Sequence, residues 1–133
     1  MIEECFDDLL SKWTGKRVEF HLDSFLELKY VDGYEIVLSQ HPPKNSDLKL
    51  YFVNAGGYIP EKFGEVHEIG FYVGNDANEV STRALQFLCS ANQKPHRDDI
   101  YDVDDCIAIE KVRESYIHLV PTEKTQDFFP MYF

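Results

Sequence analysis

The sequence predicts an α+β fold in which an antiparallel sheet and two helices form one and a half copies of a ββαββ unit. Three observations support this prediction: two segments with apolar residues at helical spacing, several segments rich in β-forming residues, and an internal repeat. A chain of 133 residues also has the length of one domain. Within a single domain over 1–133 we expect these parts: a partial first repeat in 1–40, a linker in 41–47, a complete second repeat in 48–121 and an apolar tail in 122–133.

Two segments have the pattern of helices. In the first, Ile2 to Trp13, apolar side chains recur along one stripe, and acidic residues fill the first turns, where the helix dipole favours negative charge. The second helix is predicted over Ala77 to Cys89. Asn75 or Asp76 is expected to cap it, and Glu79 stands where a capping-box residue would.

Strands are predicted on both sides of the second helix. Asp32-Gly33 predicts a hairpin between Phe25 to Val31 and Tyr34 to Ser39, because both central residues of such a tight turn need positive φ. Further strands are expected over Leu48 to Val53, Val66 to Val73, Asp99 to Glu110 and Ser115 to Val120. Asp104-Asp105 interrupts the third of these and predicts a bend or a bulge.

An internal repeat relates the two helical segments. Residues 2–30 align without a gap on 77–105, which places His21 on His96 and Asp23 on Asp98, and Tyr34 then matches Tyr116. The first copy starts at its helix and lacks the leading strand pair of the second. Either the chain is shortened, or a neighbouring molecule covers what the lost strands would cover, since an unprotected sheet edge favours aggregation.

The composition disfavours several classes of partner. With 24 acidic against 13 basic residues, the net charge of −11 opposes binding to nucleic acid and to anionic membrane surfaces. No apolar run approaches the roughly 20 residues that span a bilayer, and the acidic start does not resemble a signal peptide. Three widely spaced cysteines argue against a disulfide framework. We therefore expect a cytoplasmic protein without nucleic-acid or membrane partners.

Four motifs carry a resemblance to a known family: LYFVNAGG at 50–57, EVHE at 65–68, HRDDIYDVDDC at 96–106 and HLDS at 21–24. They resemble the bacterial family called domain of unknown function 1543, over nearly all of the chain up to about Pro121. The resemblance implies a duplicated α+β unit in a cytoplasmic bacterial protein, and it implies no particular activity. This chain departs from the fuller form, because its first unit lacks a Gly-Gly and Glu-x-His-Glu strand pair. A site that needs two such pairs would therefore be halved.

The strongest candidate site combines histidines with carboxylates: Glu65, His67, His96, Asp98 and Asp99. These groups can hold zinc, manganese or iron and can also transfer protons. Glu65 and His67 share one face of a strand because they are two residues apart. The spacings match no established zinc pattern, so the metal stays open. The alternative is structural: His67 as a hydrogen-bonded core residue, and His96 as part of a turn cap.

A second candidate is the loop that follows Gly56 and Gly57. A phosphate cradle needs a glycine loop that opens a helix, whereas here a further strand is predicted, so we interpret both residues as turn glycines. The segment from Tyr58 to Gly64 is then the loop in which we expect ligand contacts, because loops on rigid strands commonly carry function.

The chain contains no complete catalytic or cofactor motif, so we expect no cofactor. The leading hypothesis is a non-catalytic binding or self-association module, either a homo-oligomer or a module that binds a protein partner. The alternative is a metal-dependent, hydrolase-like enzyme that uses the histidine and carboxylate cluster. The apolar end, FFPMYF at 128–133, is expected to dock on its own sheet or on a second subunit.

Overall fold

A computed structural model describes residues 2–44, 47–58, 63–91 and 101–132. The chain forms two compact units, one from residues 1–28 and 127–133 and the other from residues 29–126. Helices and antiparallel strands are mixed in it, which confirms the predicted α+β class. The boundaries of the repeat copies stay a prediction. Across the described ranges, the helices are too short or too polar to cross a bilayer.

The smaller unit begins with the predicted N-terminal helix. A 3₁₀ turn at Ile2–Cys5 leads into α1, Phe6–Lys12, and a second 3₁₀ turn follows at Arg17–Glu19. The helix ends where Trp13 adopts an extended conformation. Phe6 and Trp13 then both meet the ring of Phe20 edge-on, with centroids 5.3 and 5.6 Å away. Aromatic contacts thus hold this short helix to the segment that follows it.

The predicted strand from Phe25 to Val31 is divided in the structure. Ser24–Phe25 forms β1, and Tyr30–Val31 forms β2, which pairs with β3, Tyr34–Ser39. β1 instead pairs antiparallel with β9, Met131–Tyr132, so the apolar C-terminal segment lies on a strand of the same chain. The prediction of one continuous strand was wrong because its two ends have different partners.

A four-stranded sheet in the larger unit has the order β2-β3-β8-β7. β7 is Lys111–Val112, a strand that the sequence did not predict, and β8 is Ser115–Pro121. The β2–β3 turn is confirmed, with φ of 50° at Asp32 and 81° at Gly33. β3 and β8, the strands that the repeat aligns, pair along the whole of β3, from Tyr34 opposite Pro121 to Ser39 opposite Tyr116.

A three-stranded sheet has the order β5-β4-β6, from β4 at Lys49–Tyr58, β5 at Glu65–Gly74 and β6 at Tyr101–Ile109. The predicted irregularity is confirmed: Asn54 pairs with Asp105 but Ala55 pairs with Val103, which leaves Asp104 as the extra residue of a β-bulge. The interpretation of Gly56 and Gly57 as turn glycines was wrong. β4 continues through both, because they pair with β5 on one side and β6 on the other.

One face of this sheet is covered by α2, Ala77–Ala91. Asp76 caps the helix as predicted, since its Oδ1 accepts a hydrogen bond from the backbone N–H of Glu79 at 2.8 Å. The core between helix and sheet contains a set of buried residues with partly buried neighbours: Tyr51, Val53, Val80 and Ala84, joined by Tyr72, Val103, Cys106 and Ala108. Burying each large apolar side chain of this kind contributes about 1.5–3 kcal/mol to stability.

A polar network connects the β2–β3 turn to this sheet. The Asp32 carboxylate accepts a hydrogen bond from the backbone N–H of Val73 at 2.8 Å and lies 3.3 Å from Nη2 of Arg83. Arg83 also donates to the Val73 carbonyl and lies over the ring of Tyr72, 5.6 Å from its centroid. Asp32 therefore has a tertiary role in addition to its place in the turn.

Candidate functional site

The face of the three-stranded sheet opposite α2 carries both apolar and polar side chains. Phe52 and Phe71 pair across β4 and β5 with ring centroids 5.8 Å apart. Ile69 and Ile107 lie on the same face and are 65% and 54% exposed. We call the surface formed by Phe52, Ile69, Phe71 and Ile107 the open face.

A cluster of three polar side chains lies beside the open face, where β5 begins. His67 Nε2 is 3.4 Å from Glu65 Oε2, and His67 Nδ1 is 3.3 Å from Asp104 Oδ2. Each of the three side chains offers one nitrogen or carboxylate oxygen that could bind a metal, and these three atoms lie within 4.8 Å of one another. We call Glu65, His67 and Asp104 the triad. All three side chains are a little under half exposed, so small ions can reach them from solvent.

Two features of the backbone bring the triad together. Strand alternation places Glu65 and His67 on one face, and the bulge in β6 turns Asp104 towards them. Gly56 pairs directly with His67 and leaves the space that they fill. A Cβ at Gly56 would collide with the Glu65 carboxylate and would lie 2.7 Å from Asp104 Oδ2. The absent side chain of Gly56 therefore gives the triad its room.

An unpartnered polar atom lies on the same face of β4. The Asn54 side chain donates through Nδ2 to Asp105 Oδ2 at 3.3 Å, whereas its Oδ1 is buried and has no hydrogen-bond donor within the described ranges. Most buried polar atoms have a hydrogen-bond partner in the protein or in ordered water. The polar end of the sheet thus contains one further oxygen with unused bonding capacity.

The structure unites only part of the predicted site. Glu65 and His67 meet, whereas His96, Asp98 and Asp99 lie outside the described residues. Asp104 was missing from the predicted set, although the interruption at Asp104-Asp105 had already indicated an irregular backbone there. The side chain of His67 is 45% exposed, which is unlike the hydrogen-bonded core histidine of the structural alternative.

The predicted ligand loop, Tyr58 to Gly64, joins the end of β4 to the start of β5. Gly56, Gly57 and Tyr58 belong to β4, and Tyr58 pairs with Glu65 at the start of β5. Residues 59–62 of that loop lie outside the described ranges. A shared strand register therefore connects the two candidate regions, since Gly56 pairs with His67 and Tyr58 pairs with Glu65.

The smaller unit contains a second histidine–carboxylate pair. His21 Nε2 lies 3.5 Å from Asp23 Oδ1, with the two side chains 77% and 85% exposed. His21 Nδ1 also lies 3.3 Å from the carbonyl oxygen of Glu19. This pair offers two side chains in open solvent, whereas the triad offers three around a glycine.

Comparisons with known proteins agree with the motifs in the sequence. The chain resembles the crystal structure of a protein Il1583 from Idiomarina loihiensis, with 26% identity and a TM-score of 0.70. The match covers 99% of this chain and 74% of that one. No curated protein matches the chain. The model of the family Domain of Unknown Function (DUF1543) matches residues 1–38 and 62–112. Because this match covers more than half of the chain, the protein belongs to the DUF1543 family.

Proposed function

We propose that this protein is a non-catalytic self-association module in which the open face of one copy packs against the open face of another. The observation that supports the proposal is the exposure of Ile69 and Ile107, at 65% and 54%, on a sheet face that also carries Phe52 and Phe71. Contiguous exposed apolar residues on a soluble domain commonly mark a contact surface.

The geometry of a sheet suits pairing of this kind. Two sheets pack face to face about 10 Å apart, with their inner side chains interdigitating. In a two-fold dimer the same patch serves both copies, so one exposed apolar face is sufficient. Apolar area removed from water contributes about 25 cal/mol per Å² before the cost of association is subtracted.

The charge of the chain provides a way to separate a second copy from another partner. Two copies of net charge −11 repel each other, and added salt screens that repulsion. Self-association should therefore strengthen as salt rises. Attraction of this acidic chain to a basic protein partner should weaken instead, because salt also screens attraction between exposed charges.

The test is sedimentation velocity on the full chain over a concentration series at low and high salt. We expect a dimer that dissociates on dilution and persists to lower concentration at high salt. Ile69→Glu and Ile107→Glu should each give a monomer, because either places a carboxylate in the apolar contact. Leu38→Glu is the matched control, since Leu38 is also an aliphatic strand residue in the larger unit and is 53% exposed.

Two outcomes would refute self-association through this face. One is a monomer at every concentration and salt condition. The other is a dimer that Leu38→Glu disrupts as strongly as the two open-face variants do. Far-ultraviolet circular dichroism on each variant would establish that a monomeric variant is still folded.

A further inference from the structure

We propose that the triad of Glu65, His67 and Asp104 binds a divalent first-row transition metal ion such as Zn²⁺. This site goes beyond the self-association proposed above and does not depend on it. Imidazole suits Zn²⁺ and its neighbours in the series, whereas carboxylates alone would favour Mg²⁺ or Ca²⁺. One imidazole together with two carboxylates therefore favours an ion that binds both nitrogen and oxygen ligands, as Zn²⁺ does.

The spacing of the side chains suits such an ion. Zinc binds nitrogen and oxygen ligands at roughly 2.0–2.2 Å, so two ligands of one tetrahedral ion lie roughly 3.3–3.6 Å apart. His67 is 3.4 Å from Glu65 and 3.3 Å from Asp104 through its two different ring nitrogens. Because the two ring nitrogens point in different directions, one carboxylate has to turn towards the nitrogen that the other already approaches. One potential ligand atom from each residue already lies within 4.8 Å of the other two. Three protein ligands leave a further position for water.

The charges at this point also favour a cation. Glu65 and Asp104 bring two carboxylates over Gly56 from opposite strands, and like charges placed so close repel each other. A divalent ion would neutralise both at once.

The position of Gly56 favours a metal site over a simple ion pair between surface residues. A simple ion pair between His67 and one carboxylate would need no free space above the neighbouring strand. Here the central strand has a glycine directly beneath all three side chains, and a bulge supplies the third of them. The exposed His21–Asp23 pair has only two side chains and is the natural comparison within the same chain.

The experiment is isothermal titration of the untagged, chelator-treated chain with ZnCl₂, repeated with MgCl₂. We expect one Zn²⁺ per chain and little response to Mg²⁺. His67→Ala, Glu65→Gln and Asp104→Asn should each weaken Zn²⁺ binding by at least about tenfold, because the first removes the imidazole and the others replace a charged carboxylate by a neutral amide.

His21→Ala and Asp23→Asn are the controls and should leave Zn²⁺ affinity unchanged. Gly56→Ala should also weaken binding at least about tenfold, with the fold retained, because its Cβ displaces the carboxylates. The proposal fails if no Zn²⁺ binds, if His67→Ala binds as well as the parent, or if the controls lower the affinity equally. Circular dichroism on the same samples shows whether each variant is folded, and Glu65→Gln provides a second measurement if His67→Ala is unfolded.

Discussion

Gly56 and His67 lie directly opposite each other on strands β4 and β5, and the side chain that Gly56 lacks is the space that the triad occupies. The clash that a Cβ would cause involves the ends of the Glu65 and Asp104 carboxylates, which are exposed and can rotate. A contrasting glycine, Gly74, lies under the start of α2, where a Cβ would meet the buried methyl group of Val80. The two glycines therefore have different roles, although both are strand residues.

Alanine at Gly56 should cause only a rearrangement of surface side chains, whereas alanine at Gly74 should disturb the packing of the core. Gly56→Ala should change the free energy of unfolding by less than about 1 kcal/mol, because mobile surface side chains give way. Gly74→Ala should destabilise the chain by about 1–3 kcal/mol, because Val80 is fully buried and cannot move without disturbing the core. Urea unfolding measures both values. Equal losses for the two variants would contradict this account.

The Asp32 carboxylate provides a second prediction, since it holds the β2–β3 turn to β5. Asparagine also tolerates positive φ, and its side-chain oxygen can still accept the hydrogen bond from the Val73 N–H. Asp32→Asn should therefore lower the free energy of unfolding by less than about 1 kcal/mol. Asp32→Ala loses the acceptor and places alanine in the left-handed region, so about 2 kcal/mol should be lost. Thermal unfolding of both variants tests this order. A smaller loss for alanine than for asparagine would show that the contact with Val73 does not stabilise the fold.

Tyr72 should make stability depend on alkaline pH. Burial raises the pKa of its phenol above the ordinary value of 10.0, and the negative charge of Asp32 adds to this against the opposing effect of Arg83. The folded state therefore holds the proton more tightly than the unfolded state. Stability from this group is fully present below pH 10, and it is lost as the pH rises from there through the raised pKa.

The corresponding measurement compares the parent chain with Tyr72→Phe at two pH values. At pH 8 the difference in unfolding free energy reports only on packing and the missing hydroxyl. As the pH rises above 10, the parent should lose more stability than the variant. An identical decline in both would mean that Tyr72 does not contribute to the alkaline response.

Pairing between β1 and β9 should depend on the last residues of the chain. Truncation after Pro130 removes the partner of Ser24 and Phe25, so their backbone amides should exchange with solvent much faster. Hydrogen exchange measured by NMR would report both segments in one experiment. Protection of Tyr34–Ser39 is the internal control, because β3 pairs with β2 and β8 and should be unaffected. Unchanged exchange at β1 would argue against this pairing.

Local chemistry is sufficient to determine several elements of this protein. The Asp32-Gly33 turn, the Asp76 cap and the alternation that places Glu65 beside His67 each depend on a few neighbouring residues. Turn conformations, cap hydrogen bonds and strand periodicity all act over short distances along the chain. The bulge at Asp104 belongs here as well, because the adjacent carboxylates of Asp104 and Asp105 break the alternation of polar and apolar residues along the strand.

Only the tertiary structure decided which distant strands and side chains these elements contact. Gly56 has the character of a turn residue until β5 and β6 are placed on either side of it, and Asp104 joins His67 only through the register of β6 on β4. The division of the predicted strand at Phe25 to Val31 depends equally on distant partners, β9 for one part and β3 for the other. Pairing between distant strands is selected by the packing of whole faces, so no short stretch of the sequence contains that information.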